Sequence, residues 1–254
     1  MSEVTFDFRG KNFAVTGASS GIGKQVVMDL REAGANVLAL ARRKELMNEI
    51  YGNAVPSPYG QVVTARLDVR DQENLDEVLK SFVEEHGKFH GSVYAAGITA
   101  EFALRAFDEE KAHDVMNTNF FGAVSFLRKL TAAVYTNRSS AHVWIASTAA
   151  HIGAKSLSAY SGSKGAMIAA LKPLAIEIGS KGHRLNSVSP GWTETEMTKS
   201  VVEDSGIERK GVEKVILGVG QPADVSGMIL FLLSERAKWI TGTDVVIDGG
   251  LLTR

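Results

Sequence analysis

Tyr160-Ser161-Gly162-Ser163-Lys164 sets a phenol and an ammonium four residues apart, one turn apart on a single face if the segment is helical. A phenol whose pKa is about 10 is a weak base at neutral pH. A neighbouring cation stabilises the phenolate and makes the group a usable acid/base. Ser147 follows the apolar run His142–Ala146, at the place where a parallel strand reaches the edge that holds ligands. Its hydroxyl is suited to hold a carbonyl oxygen that Tyr160 protonates. Asn119, within Met116-Asn117-Thr118-Asn119-Phe120, is a poor helix former set in a helical stretch, which suggests a polar duty. Each residue alone has a plainer reading: a chance pair on a helix, a serine bonded to backbone, an asparagine bridging helices.

A second group lies near the start of the chain. Thr16-Gly17-Ala18-Ser19-Ser20-Gly21-Ile22-Gly23 falls between an apolar strand-like run and a helix-like one. Gly17 permits a tight turn, Gly21 lets backbone approach a pyrophosphate, and Gly23 lets the helix pack closely. The N–H groups of Ser19, Ser20 and Ile22 then face the anion at the helix N-terminus. The spacing is G-x-x-x-G-x-G rather than G-x-G-x-x-G, and a flexible connection is the bland alternative. The second strand ends Leu40-Ala41-Arg42-Arg43. A carboxylate near this point suits the ribose hydroxyls of NAD, whereas guanidiniums suit a 2′-phosphate. Ala41 stands where the carboxylate belongs, so Arg42 and Arg43 favour NADP(H) over NAD(H).

These residues need a scaffold, and the pattern supplies one. Strand-like runs at Asn12–Thr16, Asn36–Leu40, Val62–Leu67, Ser92–Ala95, His142–Ala146, Arg184–Val188 and Asp244–Ile247 alternate with helical stretches. The helices are expected at Ile22–Ala33, Gln72–Glu85, about Asp108 to Tyr135, Ala159–Ile178 and Ala223–Leu233. Such alternation predicts an α/β protein with a parallel sheet covered on both faces. Gly34 sits where a helix C-cap is wanted, and Pro173 predicts a bend in its helix. Tyr51–Gly60, with two prolines, reads as a surface loop. Trp192 to Gly220 breaks the rhythm with a polar excursion, either a lid or a surface loop. No linker divides the 254 residues, so one domain spanning 1–254 is expected.

Bulk composition narrows the classes. A net charge of −1 gives no reason to expect nucleic acid or an anionic membrane as a partner. No apolar run is long enough to span a bilayer, and Met1–Gly10 lacks the apolar stretch of a secretory signal, which points to the cytoplasm. With no cysteine, thiol and disulfide chemistry are excluded. The histidines show no metal-ligand spacing. His151, between Ser147 and Tyr160, is a candidate for lining a substrate pocket or for local loop bonding. Trp192, at the foot of the excursion, is a candidate for covering a ligand or for packing.

Taken together and in order, these features resemble the short-chain dehydrogenase/reductase family over nearly the whole chain. The matching positions are the turn Thr16–Gly23, Asp68, Ala96-Gly97, Asn119, Ser147, Tyr160 with Lys164, and Pro190-Gly191. The resemblance implies a Rossmann-type doubly wound sheet of seven parallel strands in order 3-2-1-4-5-6-7. It implies that Tyr160 is the acid/base, Ser147 polarises the carbonyl, Lys164 tunes Tyr160 and bonds the nicotinamide ribose, and Asn119 holds a relay water. Asp68 and Val69 are expected at the adenine, and Ala96 and Gly97 along the cofactor. Pro190, Gly191, Thr193 and Thr195 are expected at its nicotinamide end, which makes residues 192–220 a substrate-side lid. A homotetramer (or homodimer) is implied, with the last strand and helix Ala223–Leu233 at one interface.

Tyr94-Ala95 replaces the family's usual Asn-Asn before Ala96-Gly97, so the ties those side chains make must differ. Ser20 stands where many NADP-dependent members carry a second basic residue. The expected activity is NAD(P)-dependent reduction of a ketone to a secondary alcohol, or the reverse, on a small-molecule substrate. The look of Ile98-Thr99 and Pro190–Met197 favours 3-oxoacyl-[acyl-carrier-protein] reductases as the alternative. Against it, Ala133 and Ile176, matched to carrier-docking basic positions, are apolar. A non-catalytic cofactor sensor or scaffold is the reading from another class, and the retention of all four catalytic positions argues against it.

Overall fold

Alternation along single strands decides which residues enter which core. In β1 (Asn12–Thr16), Phe13 and Val15 face one side and Ala14 the other; in β2 (Asn36–Ala41), Val37, Ala39 and Ala41 oppose Leu38 and Leu40. Both sets are buried, which is the signature of a parallel sheet covered on each face. The computed structural model describes residues 4–52, 60–198 and 215–253. Within them, β3 (Val62–Arg66), β4 (Phe89–Tyr94), β5 (Thr136–Ile145), β6 (Arg184–Pro190) and β7 (Asp244–Ile247) complete a parallel sheet in the expected order, β3-β2-β1-β4-β5-β6-β7.

One face is covered by α1 (Gly21–Glu32) and α7 (Pro222–Leu233), which bury Val26, Val27, Leu30, Ile229 and Leu233. The other carries α3 (Gln72–His86), α5 (Gly122–Leu130) and α6 (Ser158–Gly179), packed through Leu75, Leu79, Phe82, Phe126, Leu130, Met167 and Leu171. Gly34 takes φ +94° just past α1, and its N–H and that of Ala35 close the last turn onto Arg31 and Leu30, as a C-terminal glycine should. α6 continues as helix through Pro173.

Three expectations change. The stretch Asp108 to Tyr135 is not one helix: α4 (Glu109–Met116) passes into a π turn at Asn117–Phe121 and then α5, which stops at Leu130. β5 begins six residues earlier than the apolar run suggested, and its pairing with β4 shifts register between Phe89 and Gly91, opposite Thr136 and Ala141. A helix α2 (Lys44–Gly52) also lies where none was read; it buries Met47 and Tyr51 one turn apart, so Tyr51 belongs to a helix rather than a loop. The remainder of that loop, residues 53–59, and the middle of the excursion, residues 199–214, lie outside the described residues.

Candidate active site

Because every strand runs the same way, the carboxyl ends of β1, β2, β3, β4, β5 and β6 share one edge. The crossovers diverge between β1 and β4, which opens a crevice there. A cleft along this edge is walled by the glycine turn, Arg42, Arg43, Asp68, Val69, Ala96, Gly97, Ser147, Tyr160, Lys164, Pro190, Gly191, Thr193 and Thr195. Most of the residues singled out from the sequence therefore converge in one wall.

The turn is shaped by what cannot fit. Gly17 has φ +66°, and a Cβ there would lie 2.6 Å from the Ala95 carbonyl oxygen. Gly23 abuts the carbonyl of Gly17 itself and the methyl of Ala95, so its small size serves the turn and β4. Thr16 accepts from the N–H groups of both Ala95 and Ala96 through Oγ1, at 3.1 Å each. This threonine carries the β1–β4 tie across the position where the family's asparagines are missing. Tyr51 completes the cradle: its buried hydroxyl donates to the Ala18 carbonyl at 2.6 Å, and burial pushes its pKa up, so it remains a donor.

At the opposite end of the cleft, α6 starts at Ser158 and presents Tyr160 and Lys164 one turn apart. Tyr160 is half-buried; burial pushes its pKa up, and the neighbouring Ser147 hydroxyl opposes this. Lys164 is buried, and burial lowers its pKa to about 8. Its Nζ donates to the Ile145 carbonyl at 2.7 Å and lies 5.7 Å from the centre of the Tyr160 ring. The Ser147 hydroxyl favours the phenolate, and the Lys164 ammonium stands over the same ring.

Asn119 lies directly behind the cleft wall, fully buried in the π turn. Its Oδ1 accepts from the Ile98 N–H at 2.9 Å, and its Nδ2 donates to the Ile98 carbonyl at 3.0 Å and to Ser163 Oγ at 2.8 Å. Ser163 in turn donates to the Tyr160 carbonyl at 2.7 Å. Asn119 thus fastens the loop after β4 to the first turn of α6 with both side-chain N–H groups engaged. Tyr94 holds the same π turn from below. It is buried, and its hydroxyl donates to the Thr118 carbonyl at 2.5 Å. Gly122 lies under that hydroxyl, and a Cβ there would collide with it.

Asp68 accepts from Arg70 through its backbone N–H, Nε and Nη2 at 3.0, 3.0 and 2.8 Å, which lowers its pKa to about 2. His151 and Trp192 do not line the cleft. His151 turns to Asp244 at 3.0 Å and Ser189 at 3.3 Å, a local bond at the end of the sheet. Trp192 is half-buried and serves through its carbonyl, which accepts from Gly220 at 2.9 Å. Tyr51, Thr118 and Ser163 were not singled out from the sequence, and Tyr94 was noted only as a departure from the family's pattern.

A glycine turn at one end of a parallel-sheet crevice, with a serine, tyrosine and lysine at the other, defines a nicotinamide-dependent α/β oxidoreductase. A family model described as enoyl-(acyl-carrier-protein) reductase matches residues 17–252. The chain belongs to the short-chain dehydrogenase/reductase family, whose members act with NAD(P)H on C=O or CH–OH groups. Similar proteins include the 3-oxoacyl-[acyl-carrier-protein] reductase of Thermotoga maritima, 32% identical over 244 residues and covering 96% of this chain and 98% of the relative. The protein of the same name from Chlamydia pneumoniae is 33% identical over 251 residues, covering 95% and 97%. A short-chain type dehydrogenase/reductase from Mycobacterium marinum superposes with a TM-score of 0.90 at 29% identity, over 98% of each chain. One from Mycobacterium ulcerans gives 0.91 at 26%, over 99% of this chain and 92% of the other.

Proposed function

We propose that this chain reduces a ketone to a secondary alcohol with NADPH, using Tyr160 as the proton donor. One observation carries the reading: Ser147, Tyr160 and Lys164 meet in the wall of the cleft that begins at the glycine turn. The backbone of Gly17–Gly23 leaves room for a pyrophosphate at the N-terminus of α1. When bound, the nicotinamide supplies the hydride. Ser147 holds the substrate oxygen, and Tyr160 gives it a proton. A phenol carries its proton at neutral pH, the state the reductive direction requires. Lys164, buried beside the Gly97 backbone, bonds the nicotinamide ribose and supplies positive charge as the proton leaves Tyr160. Asn119 acts by fastening the loop at Ile98 against α6.

Support for NADPH comes from the far end. Arg42 and Arg43 line the cleft, Ser19 and Ser20 sit beside Arg43, and the Asp68 carboxylate on that wall is engaged by Arg70. The two arginines form the 2′-phosphate site. The excursion 192–220 acts as the substrate-side lid. Its two feet are pinned where Glu194 N–H donates to Gly220 at 2.8 Å and Gln221 Nε2 donates to Glu194 at 2.9 Å. The protein is proposed to work in the cytoplasm as a homotetramer. No helix among the described residues is long and apolar enough to cross a membrane.

The names of the relatives favour a second reading, in which the ketone is a 3-oxoacyl thioester on an acyl carrier protein. Following NADPH oxidation at 340 nm with free ketones, acetoacetyl-CoA and acetoacetyl-carrier protein separates the two. Carrier-dependent turnover selects the second. Tyr160→Phe is expected to remove turnover of every substrate by about 10²–10⁴-fold, and full activity in that variant would refute the proton donor.

A further inference from the structure

The anion site proposed for the 2′-phosphate already contains an anion of the protein's own. Arg43 Nη2 lies 3.1 Å from Ser19 Oγ, 3.2 Å from Ser20 Oγ and 3.2 Å from Glu196 Oε2. A guanidinium Nη carries two protons, so three acceptors already share them. We infer that Glu196 is a specificity-determining residue: its carboxylate competes with the cofactor's 2′-phosphate for Arg43, so it restrains NADPH binding and leaves NADH binding alone. The inference rests on the NADPH reading above and deepens it.

Three features fix Glu196 in this role. It lines the same cleft as Arg42 and Arg43, although its chain position is far away on the lid foot. The foot is held firmly: Thr198 Oγ1 accepts from the Thr195 N–H at 2.8 Å and donates to the Thr193 carbonyl at 2.7 Å. The methyl of Thr195 stands 3.1 Å from where a Cβ on Gly21 would lie, so this foot rests on the glycine turn itself. The carboxylate is thereby kept beside Arg43 and the phosphate position. The pair is also exposed on both sides, with side-chain accessibilities of 53% and 63%. An exposed ion pair is weak and reorganises at little cost. A phosphate dianion, able to take two parallel N–H bonds, displaces it, and thereafter faces a carboxylate of like charge across the site. NADH presents only ribose hydroxyls there and meets neither the competition nor the repulsion.

Direct binding tests this without any substrate, by quenching or calorimetric titration of NADPH, NADH, adenosine 2′,5′-bisphosphate and 5′-AMP. Glu196→Gln is expected to tighten NADPH and the bisphosphate by about 5–10-fold, as one screened like-charge contact warrants. NADH and 5′-AMP should change less than about twofold. The gain should shrink as salt is raised, and it should vanish in the Arg43→Ala background. Equal tightening of all four ligands, or weaker NADPH binding in Glu196→Gln, would overturn the inference. Wild-type protein that binds NADH more tightly than NADPH would instead overturn the cofactor reading beneath it.

Discussion

Replacing Gly122 by Ala tests how the π turn is held, because helix propensity and packing predict opposite signs. Gly122 opens α5, and on propensity alone Ala stabilises a helical position by about 0.8–1 kcal/mol. Here the added Cβ collides with the Tyr94 hydroxyl, with Val69 Cγ2 at 3.2 Å and the Asn117 carbonyl at 3.3 Å also tight against it. Overpacking of this kind costs about 1–3 kcal/mol. Displacing the hydroxyl from Thr118 also orphans a buried carbonyl, for about 1–3 kcal/mol more. Gly122→Ala is therefore expected to destabilise by about 2–4 kcal/mol net. Tyr94→Phe alone removes the bond and costs about 1–3 kcal/mol. In the Tyr94→Phe background the oxygen that blocks the Cβ is gone, so the same Gly→Ala change should cost only about 1 kcal/mol, from the Val69 and Asn117 contacts that remain. The coupling energy of the cycle is then about 2 kcal/mol, with the double variant about 1 kcal/mol below Tyr94→Phe. Urea denaturation of the four proteins measures it. Additive costs, agreeing within about 0.5 kcal/mol, would refute the account of Tyr94 as the prop beneath Thr118 and Asn119.

Tyr51→Phe removes the donor to Ala18, and should weaken NADPH binding several-fold while lowering stability by about 1 kcal/mol, read by titration and urea denaturation. His142 is buried between Ser92 Oγ and Ser140 Oγ at 2.8 Å each, and burial, with the charges of His183 and Arg184, lowers its pKa to about 3. The unfolded chain then binds the extra proton between the unfolded value of about 6.5 and that folded value. Stability should fall by about 1.4 kcal/mol per pH unit from this group as pH drops through the window. A His142→Gln variant with an unchanged slope between pH 6.5 and 4.5 would contradict this. Lys164 has the same sign of shift at higher pH: its folded pKa of about 8 lies below the unfolded 10.5. The unfolded chain binds more protons between those values, so raising pH through them stabilises the fold relative to Lys164→Met. The total gain is about 3 kcal/mol, and equal pH slopes in the two proteins would rule it out.

The alternation of apolar residues in β1 and β2, the glycine turn and the serine, tyrosine and lysine were legible along the chain because each depends on local spacing. A helix of period 3.6 puts Tyr160 over Lys164 wherever it packs, and the parallel sheet follows from the strand–helix rhythm. The order of the strands came from the resemblance, and the structure agrees with it. Short-range pattern failed where a long-range contact sets the local form. α2 was missed because its two buried residues matter only against β2 and the turn; the long helix is interrupted by a π turn where Tyr94 meets Thr118 and Gly122.

Sequence by itself determined which chemical groups this protein owns, and that they could serve a nicotinamide oxidoreductase. Only the tertiary structure decided what each group is doing. It engaged Asn119 as a fastener, tied the Lys164 ammonium to the Ile145 carbonyl, and turned His151 away to Asp244. It also brought Glu196 across the cleft to Arg43. The reason is that a hydrogen bond or an ion pair forms within about 3–4 Å of space, and residues far apart in the chain acquire such distances only when the sheet brings their strand ends to one edge.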